Sequence, residues 1–435
     1  MFSKHKSIER FTGVFLVLCI CMGMCVGSIV YKKSRFDAET LSNQAIYTTE
    51  VTTSRSQVEG SVVSVLSNKE QTKAFVLLKM ESMENLSTNA DDYKLFVAGS
   101  NSGGTYSDIK SQPSGGIYVF GSTGYIGFYL VNYQKFDNQI ISVIVRNTKD
   151  YTSTGTDINS DEVTINNSFE KFDQMQVFFN PGAKGVETAN FLESDKIDVE
   201  DMYREIVAVP ESETLKETLN NDLKSMFNTK VKIDNYTKRL TDGSSGAKVQ
   251  IPDVPDSIAD DDITASTYDG ELLKWSGSNW TDKHGDTVDK DYYLKLDTDY
   301  VFQGGYNFEW QTIDFNKKAD WLKDIIGSVS LDDYLSKQTQ AVQNSKDSSG
   351  LNMDDITWYL DDGSALTLDT ESSDSTVKSL STDISKLQEF WSQYYDTKYQ
   401  YEVEDLKAIV YLQRDVQNMT SMYTENFSDS AVTIY

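Results

Sequence analysis

The feature that most constrains this chain is an uncharged apolar run close to its start, Gly13 to Tyr31. Most of its residues are Val, Leu, Ile, Phe, Cys or Met. As a helix rising about 1.5 Å per residue the run spans roughly 29 Å, the thickness of a bilayer's hydrocarbon core. That length predicts a transmembrane span, because the apolar region of a cleavable signal sequence is typically only about 7–15 residues. Val26, Gly27 and Ser28 offer the small residues of a cleavage site, so a cleaved signal is the alternative. Lipid attachment at Cys25 fits less well, since Met24 stands where a small residue is expected.

Basic residues flank the run evenly, with Lys4, Lys6 and Arg10 before it and Lys32, Lys33 and Arg35 after it, so charge alone does not orient it. The cysteines break the tie. Cys19, Cys21 and Cys25 all lie inside the run, and the long remainder has none. A cysteine-free region suits an oxidising compartment. The expected topology is therefore a single-pass cell-membrane protein with a short cytoplasmic tail, an uncleaved signal anchor and an extracytoplasmic C-terminal region. Cys19, Gly23 and Gly27 recur every four residues and form the candidate membrane-helix contact.

Beyond the anchor the chain is strongly acidic. The first 35 residues hold 6 of the 40 Lys and Arg and one of the 67 acids, which leaves 34 bases against 66 acids and a formal net of −32. Nucleic acid and anionic lipid surfaces are poor partners for that field; a cationic partner or a divalent ion suits it better. Aromatic residues make up 12 % of the chain, with 25 Tyr, which argues for folded cores rather than disorder.

The expected fold class is a single N-terminal transmembrane helix followed by an all-β sandwich-like domain and an α+β C-terminal region with long helices. In boundaries this reads as a tail at 1–12, the span at 13–31, a polar stalk at 32–56 and the β domain at 57–210. An amphipathic helical segment follows at 211–242, an acidic Pro-containing linker at 243–262, a mixed hairpin and helix region at 263–374, a long helix or helix pair at 375–427 and a tail at 428–435.

Short β-branched and aromatic runs separated by turn residues predict the strands. They are Ser61 to Leu66, Lys73 to Met80, Tyr93 to Ala98, Gly116 to Phe120, Tyr125 to Tyr133, Gln139 to Asn147, Glu162 to Asn166, Gln174 to Asn180 and Arg204 to Val209. Ile126, Phe128 and Leu130 alternate with Tyr125, Gly127 and Tyr129, as on a strand buried on one face. Leu215, Leu219, Leu223 and Phe227 recur at helical spacing, and Trp321 to Asn344 reads as helical. Ile356 to Leu368 reads as a hairpin turning at Asp362-Gly363.

Val377, Leu380, Ile384, Leu387, Trp391 and Tyr394 form an apolar seam, expected to face a partner or the rest of a bundle. The stripe resumes out of phase at Tyr399, Val403, Leu406 and Val410, which predicts a stutter or a break.

Histidine supply limits the chemistry. Only His5, before the span, and His284, in an Asp- and Gly-rich turn, are present. Outside the anchor this leaves no thiol nucleophile, no common zinc ligand set and no supported catalytic triad, so no catalytic residue is assigned. A P-loop is absent as well. No organic cofactor is expected. Calcium is the candidate ion, with Asp260, Asp261, Asp262, Asp282, Asp286, Asp289 and Asp291 as candidate ligands, although no EF-hand spacing appears.

Gly270 to Trp280 contains the pattern Trp275-x-Gly277-x-x-Trp280. It resembles a short hairpin motif of some phage tail-fibre and surface-adhesin proteins, and the resemblance implies a β-hairpin with two packed indoles. Trp275, Trp280, Tyr306 and Trp310 otherwise form a candidate aromatic platform for sugar or protein. The function expected from all this is non-enzymatic: a binding or scaffold component of a bacterial cell-surface assembly for adhesion, conjugation or secretion. Its partners would be other cell-envelope or surface proteins, with homo-oligomers possible. A glycan- or cell-wall-acting hydrolase using paired carboxylates is the alternative.

Overall fold

The structure is a computed structural model that describes residues 44–100, 106–148, 169, 172–289, 292–318, 321–345, 353, 356–428 and 430–434. The run Gly13 to Tyr31, with Cys19, Gly23 and Gly27, lies outside these residues, as do the expected strand Glu162 to Asn166 and Asp291. No helix among the described residues is long and apolar enough to cross a membrane.

A β-rich region and a helical C-terminal region are both present. The chain divides into two compact units, one ending at Met202 and rejoined from Asn418 onward, the other Tyr203–Gln417. In the first unit the strands are β1 (Glu50–Thr52), β2 (Glu59–Ser67), β3 (Lys73–Met80), β4 (Tyr93–Ser100), β5 (Tyr106–Ser107), β6 (Ser114–Phe120), β7 (Tyr125–Val131), β8 (Ile140–Asn147), β9 (Gln174–Phe179) and β10 (Glu187–Thr188). The second unit carries β11 (Val249–Gln250), β12 (Asp262–Thr267), β13 (Lys274–Trp275), β14 (Trp280–Thr281), β15 (Tyr292–Asp297), β16 (Trp358–Leu360) and β17 (Ala365–Leu366). Then β18 (Tyr423–Asn426) and β19 (Val432–Ile434) return to the first.

The first unit holds two sheets, in the orders β1-β2-β3-β7-β6-β18 and β19-β4-β8-β9, with β10 beside β2 and β5 beside β4. One hydrophobic cluster joins them. Val76, Leu78, Ile126, Phe128 and Leu130 enter it from the first sheet, and Leu95, Val97, Ile141, Val143, Val177 and Phe179 from the second. The alternation along β7 thus sends Ile126, Phe128 and Leu130 into this core. A slip of one residue would exchange them for Tyr125, Gly127 and Tyr129. On the other face Phe75 meets Phe191 edge-on at 5.4 Å between ring centroids. Gly127 makes room for it, since a Cβ there would stand 2.2 Å from Phe75 Cζ.

Three expectations differ from the structure, two in this unit and one at the start of the second. Residues 44–56, expected as stalk, contribute β1 and an Ile46–Phe179 bridge, and Val51 is buried. Residues 428–435, expected as a tail, supply β19, which pairs parallel to β4, while β18 pairs antiparallel to β6. Both segments are polar and weakly periodic; β1 is held by the adjacent β2 and Ile46 by its bridge to Phe179, while β19 is held by β4, distant in sequence. Arg204 to Val209, expected as a strand, is helical: α1 (Val199–Tyr203) passes through a π-helical turn, Arg204–Ala208, into α2 (Val209–Asp242). Pro210 accounts for the π turn. Its ring clashes with the carbonyl four residues back and it lacks an N–H, so the helix widens there, and Val209 N–H bonds Arg204 O instead.

The second unit is built around α2 and α6 (Ser375–Tyr399), which pack together. Between them lie α3 (Asp256–Ala259), α4 (Leu322–Ile326) and α5 (Leu331–Asn344). Leu219, Leu223, Met226, Ile233 and Leu240 of α2 are buried, as are Leu380, Ile384, Leu387, Trp391 and Tyr394 of α6. Arg239 bridges α2 to Asp383 of α6 at 2.8 Å, and Tyr236 meets Phe390 at 5.5 Å between centroids. The α4–α5 interruption falls at Gly327, whose φ of +64° suits glycine, and Ser330 caps α5 through Asp333 N–H.

Residues 243–262, expected as a linker, lie inside this unit. Gly243 at φ +83° ends α2, β11 pairs with β16, and Asp261 is buried. The prolines and acids that suggest a loop sit in a connection held down by tertiary contacts. The expected hairpins form: β16 and β17 turn at Gly363 (φ +81°), and β13 and β14 bring Trp275 and Trp280 to 5.4 Å between ring centroids.

The phase shift in the C-terminal stripe has a specific cause. After α6 the helix continues through a second π-helical turn, Gln400–Asp405, into α7 (Leu406–Met422). One inserted residue rotates the stripe by about 100°, so Tyr401, Val403, Leu406, Ile409 and Val410 are buried on a new azimuth. The helix ends at Met422, short of the expected Phe427, where β18 begins.

Candidate functional site

The seam of α6 does not end at Tyr394. Lys398 and Glu402 continue it at four-residue spacing, so it carries charge into the core of the second unit. The Lys398 side chain is 0 % exposed and its Asp261 partner 1 %. Lys398 Nζ donates to Asp261 Oδ1 at 2.8 Å, Tyr300 O at 2.8 Å, Thr298 Oγ1 at 3.0 Å and Ser257 O at 3.1 Å. Asp261, one turn beyond α3, accepts from the Tyr394 hydroxyl on Oδ2 at 2.7 Å, and its backbone carbonyl accepts from Lys230 Nζ. A buried ion pair persists only when its remaining hydrogen-bonding capacity is met, and these partners meet it.

Glu402 closes the cluster from the second π turn. Its Oε2 accepts from Phe302 N–H at 2.9 Å, whereas Oε1 stands 3.8 Å from Lys398 Nζ, buried and accepting no hydrogen bond. Burial pushes the Glu402 carboxyl up to about 7, partly opposed by Lys398 and reinforced by Asp261. Around it Phe302 packs edge-on against Tyr395, Tyr300 and Tyr399 at 4.9, 5.3 and 5.3 Å between centroids.

The same π turn brings Asp405 against Asp222 of α2. Burial first, then the contact and repulsion with Asp405, push the Asp222 carboxyl up to about 7. Gln400 Nε2 donates to both Asp405 oxygens at 3.2 Å, and Trp310 Nε1 donates to the Tyr401 hydroxyl at 3.0 Å. Two carboxyls in contact lack the separation of about 5–9.5 Å at which paired acids flank a glycosidic bond.

An open cleft of about 750 Å³ runs along α2. Glu213, Lys216, Glu217 and Asn220 of α2 form one wall, Tyr292 and Tyr293 of β15 with Tyr268 the other, and Trp310 and Gln311 part of the floor. Tyr268 is 68 % exposed and stands 5.9 Å from Tyr293, centroid to centroid. The backbone polar groups of Leu294 are engaged by Asn220 and Gln311, and Lys216 Nζ donates to Ile313 O at 2.7 Å. Such a wall can stack on a ligand through tyrosine faces and bind cations through exposed carboxylates.

The candidate metal ligands do not converge. Asp261 belongs to the Lys398 pair, Asp260 and Asp262 are exposed, and Asp282 spends Oδ1 on the N–H groups of His284 and Asp286 at 2.9 and 2.8 Å. Asp286 and Asp289 are exposed. No group of three or more His, Cys, Asp or Glu able to hold a metal occurs among the described residues. His284 sits exposed in its turn. The four residues of the candidate aromatic platform are core instead: Trp280, Tyr306 and Trp310 are buried and Trp275 is half-buried against Phe227 at 4.9 Å. The indoles pack on α2 because its apolar face needs cover. In the seam Leu380 to Tyr394 are buried and Val377 is half-buried.

Sequence reasoning missed Lys398, Glu402 and the Tyr268–Tyr293 wall. A signal for the first two exists: a lysine and a glutamate on the buried stripe at four-residue spacing. The tyrosine wall has no such local signal. Comparison of the chain with protein-family models, with curated proteins and with solved structures finds no match.

Proposed function

We propose that this chain is a non-enzymatic binding or scaffold component of a bacterial cell-surface assembly, anchored by Gly13 to Tyr31 with its C-terminal region extracytoplasmic. The β-sandwich-like unit supplies a rigid recognition surface. The second unit binds a basic segment of another cell-envelope protein in the α2 cleft. The observation that carries this is the cleft itself: Tyr268, Tyr292 and Tyr293 with Glu213 and Glu217 around about 750 Å³, in a chain of net charge −27. Tyrosine faces and carboxylates together favour Lys and Arg side chains.

Affinity capture with the full-length protein in detergent tests it. The expected partner carries a basic segment, elutes with rising salt and is lost from Tyr268→Ala and Glu217→Gln variants. A partner retained equally by both variants removes the cleft from the interface.

The alternative, a cell-wall hydrolase, draws on Glu213 and Glu217 standing one helical turn apart in that cleft. Both are exposed, a setting for ligand contacts rather than for a buried general acid. Turnover of cell-wall polymer by the protein, abolished in Glu217→Gln, would establish it instead.

A further inference from the structure

Lys398, Asp261 and Glu402 combine an amine, a carboxyl and a second carboxyl in a dry aromatic box, and structural support alone does not explain the third member. A lysine already paired and bonded to Ser257, Thr298 and Tyr300 needs no further acid. Yet Glu402 is buried beside it, with Oε1 standing 3.8 Å from Lys398 Nζ and accepting no hydrogen bond. We propose that Lys398 and Asp261 are joined by an intramolecular isopeptide bond, formed within the folded second unit with Glu402 as the proton carrier.

The step balances without an external reagent. The proton on the 2.8 Å hydrogen bond passes from Lys398 Nζ to Asp261 Oδ1, which leaves an amine with a free lone pair beside a carboxylic acid. The Nζ lone pair then forms a bond to Asp261 Cγ, the atom next to the oxygen it already touches. Negative charge gathers on Oδ2, where the Tyr394 hydroxyl donates at 2.7 Å. Glu402, whose carboxyl burial pushes up to about 7, delivers a proton to Oδ1 from its protonated form and recovers one from Nζ. The C–Oδ1 bond breaks and one water leaves, so the products are an amide and Glu402 as it began.

The bond would tie the α3 turn to the end of α6 covalently, in a region that has no cysteine for a disulfide. Burial protects the product, since the leaving water has no bulk solvent through which to return.

Peptide mapping of the full-length protein decides the matter. Trypsin should release a branched species joining residues 249–274 to residues 387–407, one water lighter than the two together, with no cleavage after Lys398. Fragmentation should place the branch on Asp261 rather than Asp260 or Asp262. In Glu402→Gln, which keeps the shape and loses the acid, formation should slow by roughly a hundredfold or more, leaving freshly made chains unlinked. Wild-type peptides cleaved after Lys398 and carrying an unmodified Asp261 overturn the bond. A branch formed as fast in Glu402→Gln overturns the role of Glu402.

Discussion

Trp358 and Trp391 lie nearly parallel, 6.0 Å between ring centroids and 13° between planes, and both are buried with their indole N–H groups unpartnered. This pair thus joins β16 to α6 by buried area and ring contact. Trp391→Ala should cost about 3–5 kcal/mol. Trp391→Phe should cost less than half of that, because the phenyl ring keeps much of the buried area and both variants lose the same unpaired indole N–H. Urea unfolding midpoints of the two variants measure the difference; equal losses would show that ring area at this position does not hold the hairpin.

The seam residues Leu380, Ile384 and Leu387 pack within the second unit, so their replacement by Ala should destabilise by about 2–5 kcal/mol each. Sedimentation should show the same mass for wild type and variants at every concentration. A native oligomer that dissociates on substitution while staying folded would assign the seam to a contact between chains.

Stability should fall as pH rises from the ordinary carboxylate range to about 7. Glu402 is raised from 4.5 to about 7 by burial against the opposing Lys398, and Asp222 from 3.8 to about 7 by burial and by Asp405. Both hold a proton in the folded state at a pH where the unfolded chain has lost it. Stability present below the unfolded values is therefore lost through the folded ones. Unfolding curves at about pH 5 and about pH 8 measure the slope, and Asp222→Asn should flatten it in part. An unchanged slope in that variant would mean that Asp222 does not hold its proton.

Ending the chain after Met422 should loosen the first unit. It strips β18 from β6 and β19 from β4, and with β18 the Asn426 side chain that donates to Tyr93 O at 3.2 Å. Hydrogen exchange at the β6 and β4 amides should accelerate in the truncated protein. Unaltered protection there would make the C-terminal strands dispensable.

The proposed anchor predicts that the protein stays with membranes in high salt and is digested by protease added outside intact cells. A processed soluble form beginning near Ile29 would replace the anchor with a signal sequence, and protection from outside protease would reverse the orientation.

Much of the local structure follows from the chain alone, because it depends on neighbours in sequence. β3 spans Lys73–Met80 as its β-branched and aromatic run requires, Asp362-Gly363 turns a hairpin, and the four-residue spacing of Leu219 and Leu223 fits the helix that buries them. The stripe from Leu380 to Tyr394 also specified which face of α6 is buried. Local pattern could not specify what depends on residues far apart. The run Arg204 to Val209 has strand composition, yet Pro210 and the helix on either side decide its conformation. Polar segments such as residues 428–435 gain order only from an open sheet edge more than three hundred residues away. The pairing of Asp261 with Lys398 and Glu402 is of the same kind. Each charge is ordinary in sequence, and only the packing of the α3 turn on α6 excludes the water that would keep them apart.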